Sequence, residues 1–127
     1  MPPTSPSRTT PIRLVIVDDH DTFRAAASAL LSAEGFTVVG EAATARTGLD
    51  LVRAGAPDLV LVDVGLPDED GFELASRLRD DERSCPVVLT SSRGAAEYGR
   101  LVAACGARGF VPKEALCGEA LRHAAGF

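Results

Sequence analysis

The sequence has no excess of basic residues: 13 Lys and Arg stand against 18 Asp and Glu, giving a net charge of -5 and a pI of about 4.9. Such a chain has no positive field to hold phosphate backbones or an anionic membrane surface, which argues against direct nucleic-acid contact and against membrane adsorption. It has no CxxC pair either. Cys85, Cys105 and Cys117 form an odd set, each in or beside an apolar segment. A disulfide framework or zinc site is therefore set aside in favour of small apolar side chains in a reducing compartment. No run approaches the ~18 to 20 apolar residues of a membrane span, and the N-terminus lacks the apolar centre of a signal peptide, so the expected location is cytoplasmic. Lysine is almost missing: Lys113 stands alone beside twelve Arg. What is present, 46% hydrophobic positions in 127 residues, suffices for a single core burying about two thirds of the unfolded surface.

Residues 1–11, MPPTSPSRTTP, hold four of the eight prolines and five Ser or Thr, and show no apolar periodicity. They read as a disordered tail ahead of one domain over residues 12–127. From Ile12 onward short apolar runs alternate with helical periodicities, the pattern of β-α units wound around a parallel sheet. Five pairs can be counted. Strands are predicted at Ile12 to Val17, Phe36 to Ala42, Leu59 to Val62, "PVVLTS" and "RGFVP". The first helix carries Phe23, Ala26, Ala27, Leu30 and Leu31 on one face and closes at Gly35. The second carries Ala45, Leu49 and Val52 and stops at Gly55, and the third begins near Asp70. Tyr98, Leu101, Val102 and Cys105 mark the fourth, ended by Gly106; Cys117, Ala120, Leu121 and Ala124 mark the fifth.

In such a sheet, polar chemistry collects beyond the carboxyl ends of the strands. Strand one ends in Asp18 and Asp19, strand three in Asp63, strand four in Thr90, Ser91 and Ser92, and strand five in Lys113. Clustered carboxylates raise one another's pKa unless a cation sits among them. Hard oxygen donors in an incomplete shell suit Mg2+, which keeps waters and adds phosphate oxygens. The lone lysine offers a compact ammonium for contact with one oxygen. The set fits attack by the Asp63 carboxylate on a phosphoryl group, its developing charge neutralised by metal, ammonium and hydroxyl.

With "VDDH" after strand one, "LVLVDVGLPDEDGFEL" around Asp63, "PVVLTSS" on strand four and "GARGFVPK" on strand five, the chain resembles the receiver domains of two-component response regulators over residues 12 to about 125. Asp63 lies 44 positions after Asp19 and 50 before Lys113, and Ser91 lies 22 before Lys113, spacings shared with that family. The resemblance implies a doubly wound, flavodoxin-like α/β fold with a five-stranded parallel sheet in the order 2-1-3-4-5. It implies Asp63 as phosphoacceptor, and Asp18, Asp19, Asp63 and the backbone carbonyl of Gly65 as Mg2+ ligands. It makes Ser91 the switch hydroxyl, with Thr90 a neighbouring candidate, Phe110 the switch aromatic, and Lys113 the contact to a phosphoryl oxygen. The phosphoryl donor is then a sensor histidine kinase or a His-containing phosphotransfer protein, the output a change in a protein-binding surface read by an unknown downstream protein. The chain is then a signalling phosphoacceptor with self-catalysed transfer and autodephosphorylation rather than an enzyme; a homodimer is compatible with it.

Two departures stand out. Glu114 follows Lys113 where the family often has proline, with Pro112 before it, so the loop into the last helix is expected to differ. Gly65 replaces the longer side chain frequent two places after the phosphoacceptor. His20 and His123 read as structural or solvated, and Asp68, Glu69 and Asp70 as turn and capping residues. An aspartate-nucleophile hydrolase usually needs a second acid where Gly65 stands, and a capping insert. A pseudo-receiver that is never phosphorylated tends to lose rim residues that are all kept here. No output domain follows the last helix within these residues: either output runs through protein contact, or they belong to a longer chain, as in receivers that precede helix-turn-helix domains.

Overall fold

IRLVIV, the first apolar run of the chain, is rich in β-branched residues and has a single charge, and it forms strand β1, Ile12–Val17. The computed structural model describes residues 10–81, 85–92 and 98–127. Residues 1–9 of the expected N-terminal tail lie outside them. Four further strands follow: β2 Phe36–Ala42, β3 Leu59–Asp63, β4 Val87–Ser91 and β5 Gly109–Pro112. All pair in parallel in the order β2-β1-β3-β4-β5, the arrangement implied by the resemblance. Between and after them run α1 Asp21–Ala33, α2 Ala45–Gly55, α3 Gly71–Asp80, α4 Gly99–Ala104 and α5 Gly118–Ala125. Among the described residues no helix is long and apolar enough to cross a membrane.

Alternation along each strand divides the core in two. Val15, Val17, Val60, Val62 and Leu89 face α2 and α3, burying Leu49, Val52, Leu74 and Leu78. Leu14, Ile16, Leu59, Leu61, Val88 and Val111 face α1 and α5, burying Leu31 and Leu121. At about 1.5 to 3 kcal/mol for each fully buried side chain, these two layers supply the drive that holds helices of only 6 to 13 residues in place. Arg13, the charge that interrupts β1, donates from its guanidinium to the Gly55 and Ala56 carbonyls at 2.8 and 2.9 Å, capping the C-terminus of α2. The left-handed position there falls on Ala56 (φ 43°), one residue beyond the glycine expected to end that helix. Gly35 and Gly106, both at positive φ, do end α1 and α4.

The acidic loop divides its work. Asp70 caps α3 by accepting from the Glu73 amide at 2.8 Å, while Asp68 reaches across to accept from the Ala45 and Arg46 amides at 2.9 and 3.1 Å at the start of α2. Those amides hold the Asp68 carboxyl below its ordinary value. Lys113–Ala115 form a single 3-10 turn between β5 and α5. All three cysteines are free; Cys105 is buried and Cys85 and Cys117 half-buried. Burial pushes the Cys85 thiol up to about 11, which keeps it protonated.

Candidate functional site

The register sets one row of side chains across the C-terminal end of the sheet. Val17 pairs with Val62, and Asp63 with Thr90, which pairs in turn with Val111. Residues in register on neighbouring strands point to the same face. Asp18 and Thr90 therefore flank Asp63, and Lys113, two residues past Val111, follows on that same side. Ser91 has the opposite parity and shares its face with Leu89, the partner of Phe110.

Distances show how far the row closes. Lys113 Nζ lies 2.8 Å from Asp18 Oδ2 and 3.8 Å from Asp63 Oδ2, and 4.4 Å above the Phe23 ring. Asp18 is 1% exposed in its side chain and Asp63 nearly as buried. Asp18 Oδ1 accepts from the His20 amide at 2.8 Å, and Arg24 donates to the Asp18 carbonyl at 2.5 Å, fixing the turn out of β1. Among the described residues Asp18 Oδ2 is held by the ammonium alone, and Asp19 Oδ1, though out of water, has no hydrogen-bond partner. Thr90 Oγ1 is buried and unpartnered in the same sense, whereas Ser91 is buried and engaged.

Asp18, Asp19, Asp63 and Lys113 thus converge. Gly65 stands beside them, exposed, its backbone amide hydrogen-bonded to the Asp63 carboxylate. Phe110 sits apart, half-buried, its ring 5.8 Å from Tyr98, which is itself 5.5 Å from Phe72. His20, expected to be structural or solvated, has a side chain that is 65% exposed, with Nδ1 pointing inward, 3.2 Å from Asp18 Oδ1, 3.4 Å from Asp19 Oδ1 and 3.8 Å from Asp63 Oδ2. Its position between two acids of a strand-end turn was the available signal, but composition does not say which way the ring turns.

Burial, and then repulsion from Asp18, raise the Asp63 carboxyl above its ordinary 3.8, more than Lys113, the Gly65 amide and His20 lower it. A carboxyl whose pKa is raised by folding destabilises the fold wherever it is ionised, and the penalty vanishes as pH falls through that raised value toward 3.8. Asp63→Asn is therefore expected to raise Tm at neutral pH in chelator by about 4 °C, the effect of ~1 kcal/mol in a domain of this size. The margin should close on acidification. Thermal scans of both proteins across pH check this; a margin that widens toward acid contradicts it.

An acidic cluster beside a lysine at the mouth of a parallel sheet is the kind of pocket in which receiver domains bind Mg2+. The response regulator receiver domain model matches residues 14–124. Among curated relatives, the Bordetella pertussis virulence-factor transcription regulator BvgA is 35% identical over 101 residues, 80% of this chain and 48% of that protein. The nitrate/nitrite response regulator NarL of Escherichia coli is 35% identical over 82 residues, 64% of this chain and 38% of that protein. The solved receiver domain of NarL from Mycobacterium tuberculosis superposes with a TM-score of 0.82 at 31% identity, covering 91% of this chain and 97% of that one. The chain spans about half the length of the curated relatives it matches. Matched almost end to end by the family's model and fold, it is a receiver domain of the two-component response regulator family.

Proposed function

We propose that this receiver is a working phosphorylation switch with Asp63 as phosphoacceptor. The observation that carries the reading is the closure of Asp18, Asp19 and Lys113 around a buried Asp63 carboxylate. The donors fit a hard divalent cation: they are carboxylate oxygens, and one of them, Asp19 Oδ1, is withdrawn from water with no hydrogen-bond partner among the described residues. Asp18, Asp19, Asp63 and the Gly65 carbonyl would hold Mg2+, which when bound supplies positive charge to the equatorial oxygens of the transferring phosphoryl group.

The chain's own residues do the rest. An Asp63 oxygen attacks phosphorus in line as the P–N bond of a phosphohistidine, on a sensor kinase or a phosphotransfer protein, breaks and the imidazole departs. The ammonium of Lys113 moves from Asp18 to a new phosphoryl oxygen. A hydroxyl at the end of β4, that of Ser91 or of Thr90 on the Asp63 face, donates to another, and Phe110, which shares the face of Ser91, turns into the space released. The surface of α4, β5 and α5 is then biased between two states for a downstream protein to read. The domain is thus a self-catalysing phosphoacceptor of the cytoplasm, not an enzyme with turnover, and nucleic-acid contact belongs to whatever output a longer chain carries.

Incubation with acetyl phosphate and Mg2+ should add one phosphoryl group to the intact mass, and Asp63→Asn should abolish it. An unmodified mass in the parent chain would leave only an interaction module; equal gain in the variant would move the acceptor elsewhere. Gly65 gives a second expectation. A Cβ built there meets nothing within 4 Å, so a longer side chain fits without strain and covers the acyl phosphate from water. Gly65→Met should lengthen its half-life about tenfold, ~1.4 kcal/mol in the hydrolytic barrier. Decay followed by mass spectrometry decides, and equal half-lives remove the idea.

A further inference from the structure

His20 does not belong to the oxygen set just described, and its ring is turned toward that set. We propose that His20 Nδ1 is a direct nitrogen ligand of the site's divalent cation, so that the pocket takes a first-row transition-metal dication more tightly than Mg2+. The inference rests on the receiver reading and concerns which cation that receiver uses. Asp18, Asp19, His20 and Asp63 each offer a ligand atom, all within 4.8 Å of one another. Neighbouring ligands of an octahedral ion with bonds of 2.0–2.1 Å stand about 3.0 Å apart. The separations from Nδ1 to the three carboxylates, 3.2, 3.4 and 3.8 Å, approach that figure closely enough for small side-chain rotations to close them on one ion.

Lys113 Nζ lies 3.3 Å from Nδ1 and Asp18 Oδ1 3.2 Å from it; an ammonium can only donate and a carboxylate can only accept, so the two contacts call for opposite tautomers. Ligation uses the tautomer with the proton on Nε2, in which the Nδ1 lone pair faces the ammonium, and a cation arriving between the acids takes that lone pair over. Mg2+ gains little from an imidazole, because it favours oxygen and gives up water reluctantly. Mn2+, Co2+ and Ni2+ gain progressively more along the usual order of divalent affinities. One nitrogen among carboxylates therefore tilts selectivity without disturbing the oxygen donors.

The test titrates the full chain with Mg2+ and with Ni2+ by calorimetry at fixed neutral pH, and records pulsed EPR of the Mn2+-loaded chain. The parent should bind Ni2+ more tightly than Mg2+ and show nitrogen coupling to Mn2+. His20→Ala should lose about tenfold or more in Ni2+ affinity, keep its Mg2+ affinity, and lose the coupling. Asp19→Asn should weaken both cations, which binding at the cysteines or His123 would not do. Absence of coupling in the parent overturns the inference, as does Ni2+ affinity that ignores His20 or falls in step with Mg2+. Phosphoryl transfer from acetyl phosphate to the parent, read in parallel, separates the two ideas. Transfer without nitrogen coupling sinks this inference and leaves the receiver switch standing; neither cation binding nor transfer sinks both.

Discussion

In chelating buffer Lys113→Met is expected to unfold about 15 °C below the parent chain, a loss of about 4 kcal/mol. Methionine keeps the length and the contact with Phe23 while deleting the charge, so the loss isolates electrostatics from packing. Among the described residues Asp18 Oδ2 has only the ammonium, at 2.8 Å, as a partner, in a side chain that is 1% exposed. Without it, a buried carboxylate is left uncompensated next to Asp63, whose own ionisation burial and Asp18 already oppose. Two responses follow. Lys113 is among the groups that lower the Asp63 pKa, so in the variant Asp63 takes up its proton at higher pH, and the deficit shrinks as the solution is acidified. Divalent cation should also stabilise the variant more than the parent, because binding to the folded state alone adds stability and the competing ammonium is gone. Thermal scans with and without Mg2+ measure both effects. Equal Tm values in chelator would mean that Asp18 is satisfied by something other than Lys113.

The sheet was legible where burial on both faces leaves a continuous apolar run: β1, Ile12–Val17, begins and ends where the run does, and β3, Leu59–Asp63, buried throughout, exceeds it by one residue, whereas the edge strand β2 is buried only at its two ends and shows a weaker pattern. The meeting of Asp18, Asp63 and Lys113 was legible for a related reason, since strand ends that share a rim must bring their next residues together. Three features were hidden by the same physics that made these visible. The division of Thr90 and Ser91 between opposite faces depends on the pleat and register, which a run of two hydroxyls does not display. The inward turn of His20 is a choice of side-chain rotamer at an exposed position, where no apolar pattern constrains it. Asp68 binds the start of α2, not the helix it precedes, because spatial neighbours in a wound sheet lie 23 residues apart in the chain. Single-residue signals are local, and these three outcomes are not.

Gly71→Ala should cost about 3 kcal/mol, close to 10 °C in Tm, and slow phosphoryl gain at Asp63 in the protein that remains folded. The cause is one methyl group placed against backbone that cannot rotate away. A Cβ at Gly71 would lie 2.5 Å from the Asp63 carbonyl oxygen and 2.8 Å from Val64 Cα. The first turn of α3 is held down there from two sides, by the Gly71 amide donating to the Val64 carbonyl at 2.9 Å and by the Asp70 cap on the Glu73 amide at 2.8 Å. Relief of the clash must therefore lift α3 or shift the chain that carries Asp63. Displacement of a few tenths of an ångström at that carboxylate degrades in-line attack, since near-attack geometry is what positioning contributes to the rate. Gly55→Ala is the matched control: its Cβ meets nothing within 4 Å at the end of α2, and alanine there should be neutral or stabilising by up to ~1 kcal/mol. Chemical denaturation of both variants, with the rate of mass gain from acetyl phosphate, decides the matter. A Gly71→Ala protein as stable and as quickly phosphorylated as the Gly55→Ala control would show that α3 does not fix the position of the acceptor.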